Sequence, residues 1–80
     1  MQSEVEKSIR LTLQDEFGIS DIENSDNLSD QLDSLDIVEL VMIIEEEFDI
    51  EIDDNKLVSI VSLDDLIGLV EGYVYQGESE

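Results

Sequence analysis

Between Arg10 and Lys56 the chain contains no basic residue, yet that stretch is dense in aspartate and glutamate. A carboxylate buried without a counter-charge costs several kcal/mol, so its acids have to stay in water. Only the apolar positions between them are free to build a core. The whole chain sets 23 acids against three bases, Lys7, Arg10 and Lys56, for a formal net charge of −20 on 80 residues. Acids often serve solubility alone, but this charge exceeds what solubility needs. Its field repels nucleic acid and anionic membranes and attracts basic protein surfaces. Basic protein partners are expected, and neither nucleic acid nor membrane insertion is.

A chain of this length makes one domain, here 1–80, since single domains typically run to roughly 100–150 residues. Cysteine and histidine are both absent, so disulfides and the usual zinc ligands are excluded and the fold must stand on packing. The N-terminus reads Met1-Gln2-Ser3-Glu4 and the longest apolar run is Leu40 to Ile44, which gives neither a secretion signal nor a span. The cytoplasm is the expected location, and a monomer the expected state.

Capping patterns place the helices. Ser3 followed by Glu6 is a capping box, and Val5, Ile9, Leu13 and Phe17 then recur at four-residue spacing up to Gly18, giving a helix over about 3–17. From Ile19 to Leu32 the chain reads as a long loop pinned to a core by Ile19, Ile22, Leu28 and Leu32. Asp33 caps a second helix over about 34–48, with Leu32 and Ile37 placed to form a hydrophobic staple. Ile50, Glu51 and Ile52 alternate like a strand but have no partner strand, so they read as extended loop. Asp54 is expected to cap a short helix over about 54–59. Ser62 and Asp65 cap a last one over about 63–74 bearing Leu63, Leu66, Ile67, Val70, Tyr73 and Val74, with Val61 and Leu66 repeating the staple. Residues 76–80 are expected to form a polar, frayed tail.

The second helix carries two apolar stripes. At about 100° per residue, Ile37, Leu40, Val41, Ile44 and Phe48 gather on one side and suit a bundle core. The opposite side gathers Leu35, Val38 and Met42, ringed by Glu39, Glu45 and Glu46 with Asp36 and Glu47 on the flank. Either this stripe packs on another helix of the same chain or it is exposed. The interleaved acids, with no base to pair them, favour exposure. An acid-rimmed apolar patch holding an adaptable methionine suits docking on several basic partners in turn.

Enzymatic chemistry is not expected. Ser-His-Asp and Cys-His arrangements are impossible, and four scattered glycines make no phosphate loop. The calcium-loop pattern fails from Asp26, where Leu28 and Gln31 occupy the ligand and glycine positions. It fails again from Asp49, where Asp54 and Ile60 take the glycine and glutamate positions. No specific metal site is read, and loose binding of divalent cations to clustered carboxylates stays open.

The run Asp33-Ser34-Leu35-Asp36-Ile37-Val38-Glu39-Leu40-Val41-Met42, continuing through Glu45-Glu46-Glu47-Phe48 to Ile52-Asp53-Asp54, resembles the signature of fatty-acid-type acyl carrier proteins. The resemblance implies an all-α fold, a small four-helix bundle of three longer helices and one short one. It also implies a covalent phosphopantetheine on Ser34, transferred from coenzyme A by a magnesium-dependent phosphopantetheinyl transferase, whose thiol carries acyl groups as thioesters. If Asp33 is the cap, Ser34 occupies the first helical position with its hydroxyl free, where the helix N-terminus favours a phosphodiester. By the same resemblance, Asp33, Leu35, Asp36, Val38, Glu39, Met42, Glu45 and Glu46 form the face that meets the basic surfaces of acyl-transfer and fatty-acid or related biosynthetic enzymes. Two departures stand out. Leu32 joins Asp33 directly where the family usually has Leu-Gly-x before the triplet, and Asp53 stands where the family often has proline. A carrier of aminoacyl or polyketide units would use the same arm, and an unmodified acidic adaptor would use only the exposed stripe.

Overall fold

The structure, a computed structural model, describes residues 3–76, with the side chain of Gln76 excepted. Within them the chain forms α1 (Glu4–Phe17), α2 (Ser34–Phe48), α3 (Asp54–Leu57) and α4 (Leu63–Gln76), with one 3-10 turn at Leu28–Asp30. This is the expected bundle of three longer helices and one short one. The core takes one stripe from each long helix: Val5, Ile9 and Leu13 from α1, Leu40, Val41 and Ile44 from α2, and Leu63, Leu66, Ile67 and Val70 from α4. No described helix is long and apolar enough to cross a membrane.

The caps explain where the long helices begin. The Ser3 hydroxyl accepts from the Glu6 N–H at 3.1 Å, and Gly18 closes α1 in the left-handed region at φ 71°, where glycine carries no steric penalty. At α4 the box is complete: Ser62 Oγ accepts from the Asp65 N–H at 3.1 Å, while Asp65 Oδ2 accepts from the Ser62 and Val61 N–H groups.

The loop from Ile19 to Asp33 is held by more than its four buried apolar residues. Arg10 on α1 donates to the Ile22 carbonyl at 2.6 Å and to Asn24 Oδ1, and its Nε pairs with Glu6 at 3.3 Å. The loop also joins the segment before α4. Leu28 donates to the Val61 carbonyl, Leu63 to Asp26 and Asp64 to Asn24, at 2.9, 3.1 and 2.9 Å, around a single bridge between Asn27 and Ser62.

Five expectations need correction. Asp53, not Asp54, caps α3, its carboxylate accepting from the Asn55 N–H at 3.0 Å, and α3 ends at Leu57 rather than near Ser59. The staple at α4 is not made, because Leu66 is fully buried whereas Val61 is 54% exposed. The 3-10 turn at Leu28 lies inside what reads as plain loop. The last helix continues to Gln76, and the polar tail beyond it lies outside the described residues.

Candidate functional site

Helix α2 is built to leave its first turn open. Asp33 stands in extended backbone at its N-cap, and Asp33 Oδ1 accepts from the Asp36 N–H at 2.9 Å while its carbonyl accepts from Ile37. With the cap supplied by Asp33, Ser34 sits at the first helical position, exposed, and its hydroxyl makes no hydrogen bond among the described residues. The N–H groups of Ser34 and Leu35 have no intrahelical acceptor at this end, which is the positive end of the helix dipole.

Leu35, Val38 and Met42 are 78%, 48% and 57% exposed, so the second stripe faces solvent rather than another helix. Glu39 and Glu46 are exposed beside it, and Asp36 is half-buried. Spacings of three and four residues keep Leu35, Val38, Glu39, Met42 and Glu46 on one side of the helix. Glu45 differs from its neighbours. It is half-buried, and its Oε2 accepts from the Ile52 N–H at 2.7 Å, so it holds the chain leading to α3. The core stripe lies where the wheel places it, with Leu40, Val41 and Ile44 buried and Ile37 and Phe48 packed against the core.

Sequence reasoning missed the neighbourhood at the other end of α2. Tyr73 on α4 accepts from the Asp53 N–H at 3.2 Å, and a groove lined by Glu45, Glu51, Ile52, Asp53, Asp54 and Tyr73 opens there. A contact between residues twenty apart in sequence leaves no periodic signal. Among the described residues no three acidic side chains converge as a metal-binding group.

Comparison with known proteins supplies the class. The family model described as the phosphopantetheine attachment site matches residues 7–70, most of the chain and all of α2. Over 75 residues the chain is 37% identical to the acyl carrier protein of Buchnera aphidicola subsp. Baizongia pistaciae, covering 89% of this chain and 96% of the relative. It is 36% identical over 71 residues to the acyl carrier protein of Clostridium acetobutylicum, covering 84% and 92%. A shorter match to the acyl carrier protein of Campylobacter fetus subsp. fetus, 45% identical over 40 residues, spans about half of each chain. The chain therefore belongs to the phosphopantetheine-attachment family and, within it, to the acyl carrier proteins, which are carriers and not enzymes. Phosphopantetheine is the group of this family, and the start of α2 fits it: an exposed, unpartnered hydroxyl at the positive end of a capped helix suits a phosphodiester.

Proposed function

We propose that Ser34 carries the phosphopantetheine arm and that the chain bears acyl groups on it as thioesters, presenting them to enzymes of fatty-acid or related synthesis in the cytoplasm. The observation that carries this reading is the free Ser34 hydroxyl at the first position of a helix capped by its neighbour Asp33. A phosphopantetheinyl transferase joins Ser34 Oγ to the phosphate of coenzyme A, the serine losing its proton as the nucleotide part departs. The arm brings the thiol that a chain without cysteine lacks.

Docking is assigned to Leu35, Val38 and Met42 as apolar anchors, with Asp33, Asp36, Glu39 and Glu46 as the acids that attract a basic partner. Glu45 contributes charge at the edge while holding Ile52. The acid rim speeds and orients encounter, and burial of the apolar stripe sets how long the complex lasts.

The test is intact mass after incubation with coenzyme A, magnesium and a broad-specificity transferase. One phosphopantetheine should be added to the native chain and none to Ser34→Ala. That variant should keep its helical circular dichroism, because the cap is Asp33 and Ser34 lies outside the core. Incorporation into Ser34→Ala would sink the assignment, and a lost helical signal would show that the serine is structural.

A further inference from the structure

The chain enters α2 through a short turn. Leu28–Asp30 form the 3-10 turn, whose cap residue Asn27 makes no side-chain capping bond, and Leu32 then joins the α2 cap Asp33 directly. Three residues of 3-10 helix have almost no stability of their own. The bonds inside the turn are local: Asp30 donates to the Asn27 carbonyl at 3.1 Å, and Gln31 and Leu32 donate to the Leu28 carbonyl at 3.1 and 2.8 Å.

The turn is hung from another part of the fold. The Leu28 N–H donates to the Val61 carbonyl at 2.9 Å, and the Val61 N–H donates to Asp65 Oδ2 at 3.1 Å. A line of hydrogen bonds therefore runs from the Asp65 carboxylate through Val61, Leu28 and Leu32 to the residue before the α2 cap. The Val61 side chain is exposed, so these backbone bonds and not packing hold it. Asp65 and Ser62 divide the capping box of α4 between them. Ser62 Oγ takes the Asp65 N–H, whereas the Asp65 carboxylate takes the Val61 and Ser62 N–H groups. At the far end of the line, Asp33 closes the first turn of α2 through the Asp36 and Ile37 N–H groups. Ser34 beside it is exposed, so the placing of Asp33 decides where the Ser34 hydroxyl sits.

We propose that Asp65 is a positioning residue for arm attachment: by holding Val61 it fixes the Leu28 turn, and through Leu32 and Asp33 it fixes Ser34 Oγ. This rests on Ser34 being the attachment residue. In the transfer, the bond from Ser34 Oγ to phosphorus forms as the bond from phosphorus to the departing nucleotide breaks and the serine proton is lost. Such a displacement depends steeply on the placing of the attacking atom. Docking through Val38 and Met42 lies further along α2, beside the core-packed Leu40 and Val41, so the line acts on the rate of transfer and not on affinity.

Single-turnover transfer to the full chain at pH 7, from coenzyme A with magnesium and a phosphopantetheinyl transferase and followed by intact mass, tests this. Asp65→Ala should lower the rate at saturating transferase about three- to tenfold, the range set by loss of one net hydrogen bond. The transferase concentration that gives half the maximal rate should not change. Ser62→Ala removes the other half of the same box and weakens α4 comparably, yet should transfer at the native rate. Asp65→Asn, which keeps an uncharged acceptor, should be slower than Ser62→Ala and faster than Asp65→Ala; should Asp65→Ala lose its helical circular dichroism, the comparison of Asp65→Asn with Ser62→Ala carries the test. In the unmodified chains the Leu32 and Ile37 amides should exchange with solvent faster in Asp65→Ala than in Ser62→Ala, with Leu40 alike in both. Equal rate losses in the Asp65 and Ser62 variants would overturn the positioning role, because general loosening would then explain both. A native rate in Asp65→Ala, or a loss seen only in the half-saturating concentration, would overturn it too. A native chain that takes up no arm would overturn Ser34 as the attachment residue instead.

Discussion

Leu40 and Leu35 are the same residue type on the same helix, yet Leu40 is fully buried and Leu35 is 78% exposed. Periodicity alone does not separate them, since each belongs to an apolar row at three- and four-residue spacing. The acids decide. Around Leu35, Val38 and Met42 stand Glu39 and Glu46, and burying that face would strand carboxylates with no base nearby. The Leu40, Val41, Ile44 face carries no charge and closes the core. Charge thus selects which apolar row the fold consumes and which it leaves in solvent.

The largest test of this contrast is truncation on both sides. Leu40→Ala should cost about 2–5 kcal/mol, because the site is enclosed and cannot collapse fully, whereas Leu35→Ala should stay within about 0.5 kcal/mol. Urea denaturation of the two variants measures both, and equal losses would mean that the exposed row packs on something in solution. Docking should reverse the order. Met42→Glu should weaken partner binding about tenfold, mainly by faster dissociation, with little change in melting temperature. Glu39→Lys should mainly slow association and flatten its salt dependence. A Met42→Glu chain that unfolds would place Met42 in the core.

The acids themselves give a third, smaller effect. With like charges unpaired along the exposed face, sodium chloride and especially millimolar magnesium should raise the melting temperature, as screening over a Debye length of about 10 Å at 0.1 M relieves repulsion. A melting temperature indifferent to both would show that the repulsion is relieved in some other way.

How much of this was legible follows the same physics. The two faces of α2, the cap at Asp33, the four loop pins Ile19, Ile22, Leu28 and Leu32 and the closure at Gly18 all rest on local spacing, and the structure has them in place. What escaped depends on approach between distant segments: Arg10 reaching Ile22 and Asn24, the bridge from Asn27 to Ser62, and the hold of Glu45 and Tyr73 on the chain before α3. The cap of α3 was misplaced by one residue because Asp53 and Asp54 are chemically equal and only backbone geometry chooses between them. Val61 looked like a staple by position, but its N–H and carbonyl are both engaged, by Asp65 and Leu28, and this fixes its backbone with the side chain outward.

The smallest prediction separates an acid with a structural bond from an acid without one. Asp65 accepts from the Ser62 and Val61 N–H groups, and these bonds hold its carboxyl below the ordinary aspartate value, the Ser62 backbone bond being the larger cause. A group whose folded pKa is depressed stabilises the fold above its unfolded pKa, about 3.9 for aspartate, and loses that contribution as pH falls through the folded value. Asp65→Asn should therefore melt below the native chain at pH 7, and the gap should close as the solution is acidified past the ordinary aspartate range. Glu39→Gln, on the exposed face of α2, should melt at or above the native chain at pH 7, because it removes one repelling charge and no bond. A gap for Asp65→Asn that persists unchanged in acid would mean that shape at the α4 cap, not charge, holds Val61 and Ser62. The same sign for both variants at pH 7 would erase the distinction between an acid that caps a helix and an acid that only faces solvent.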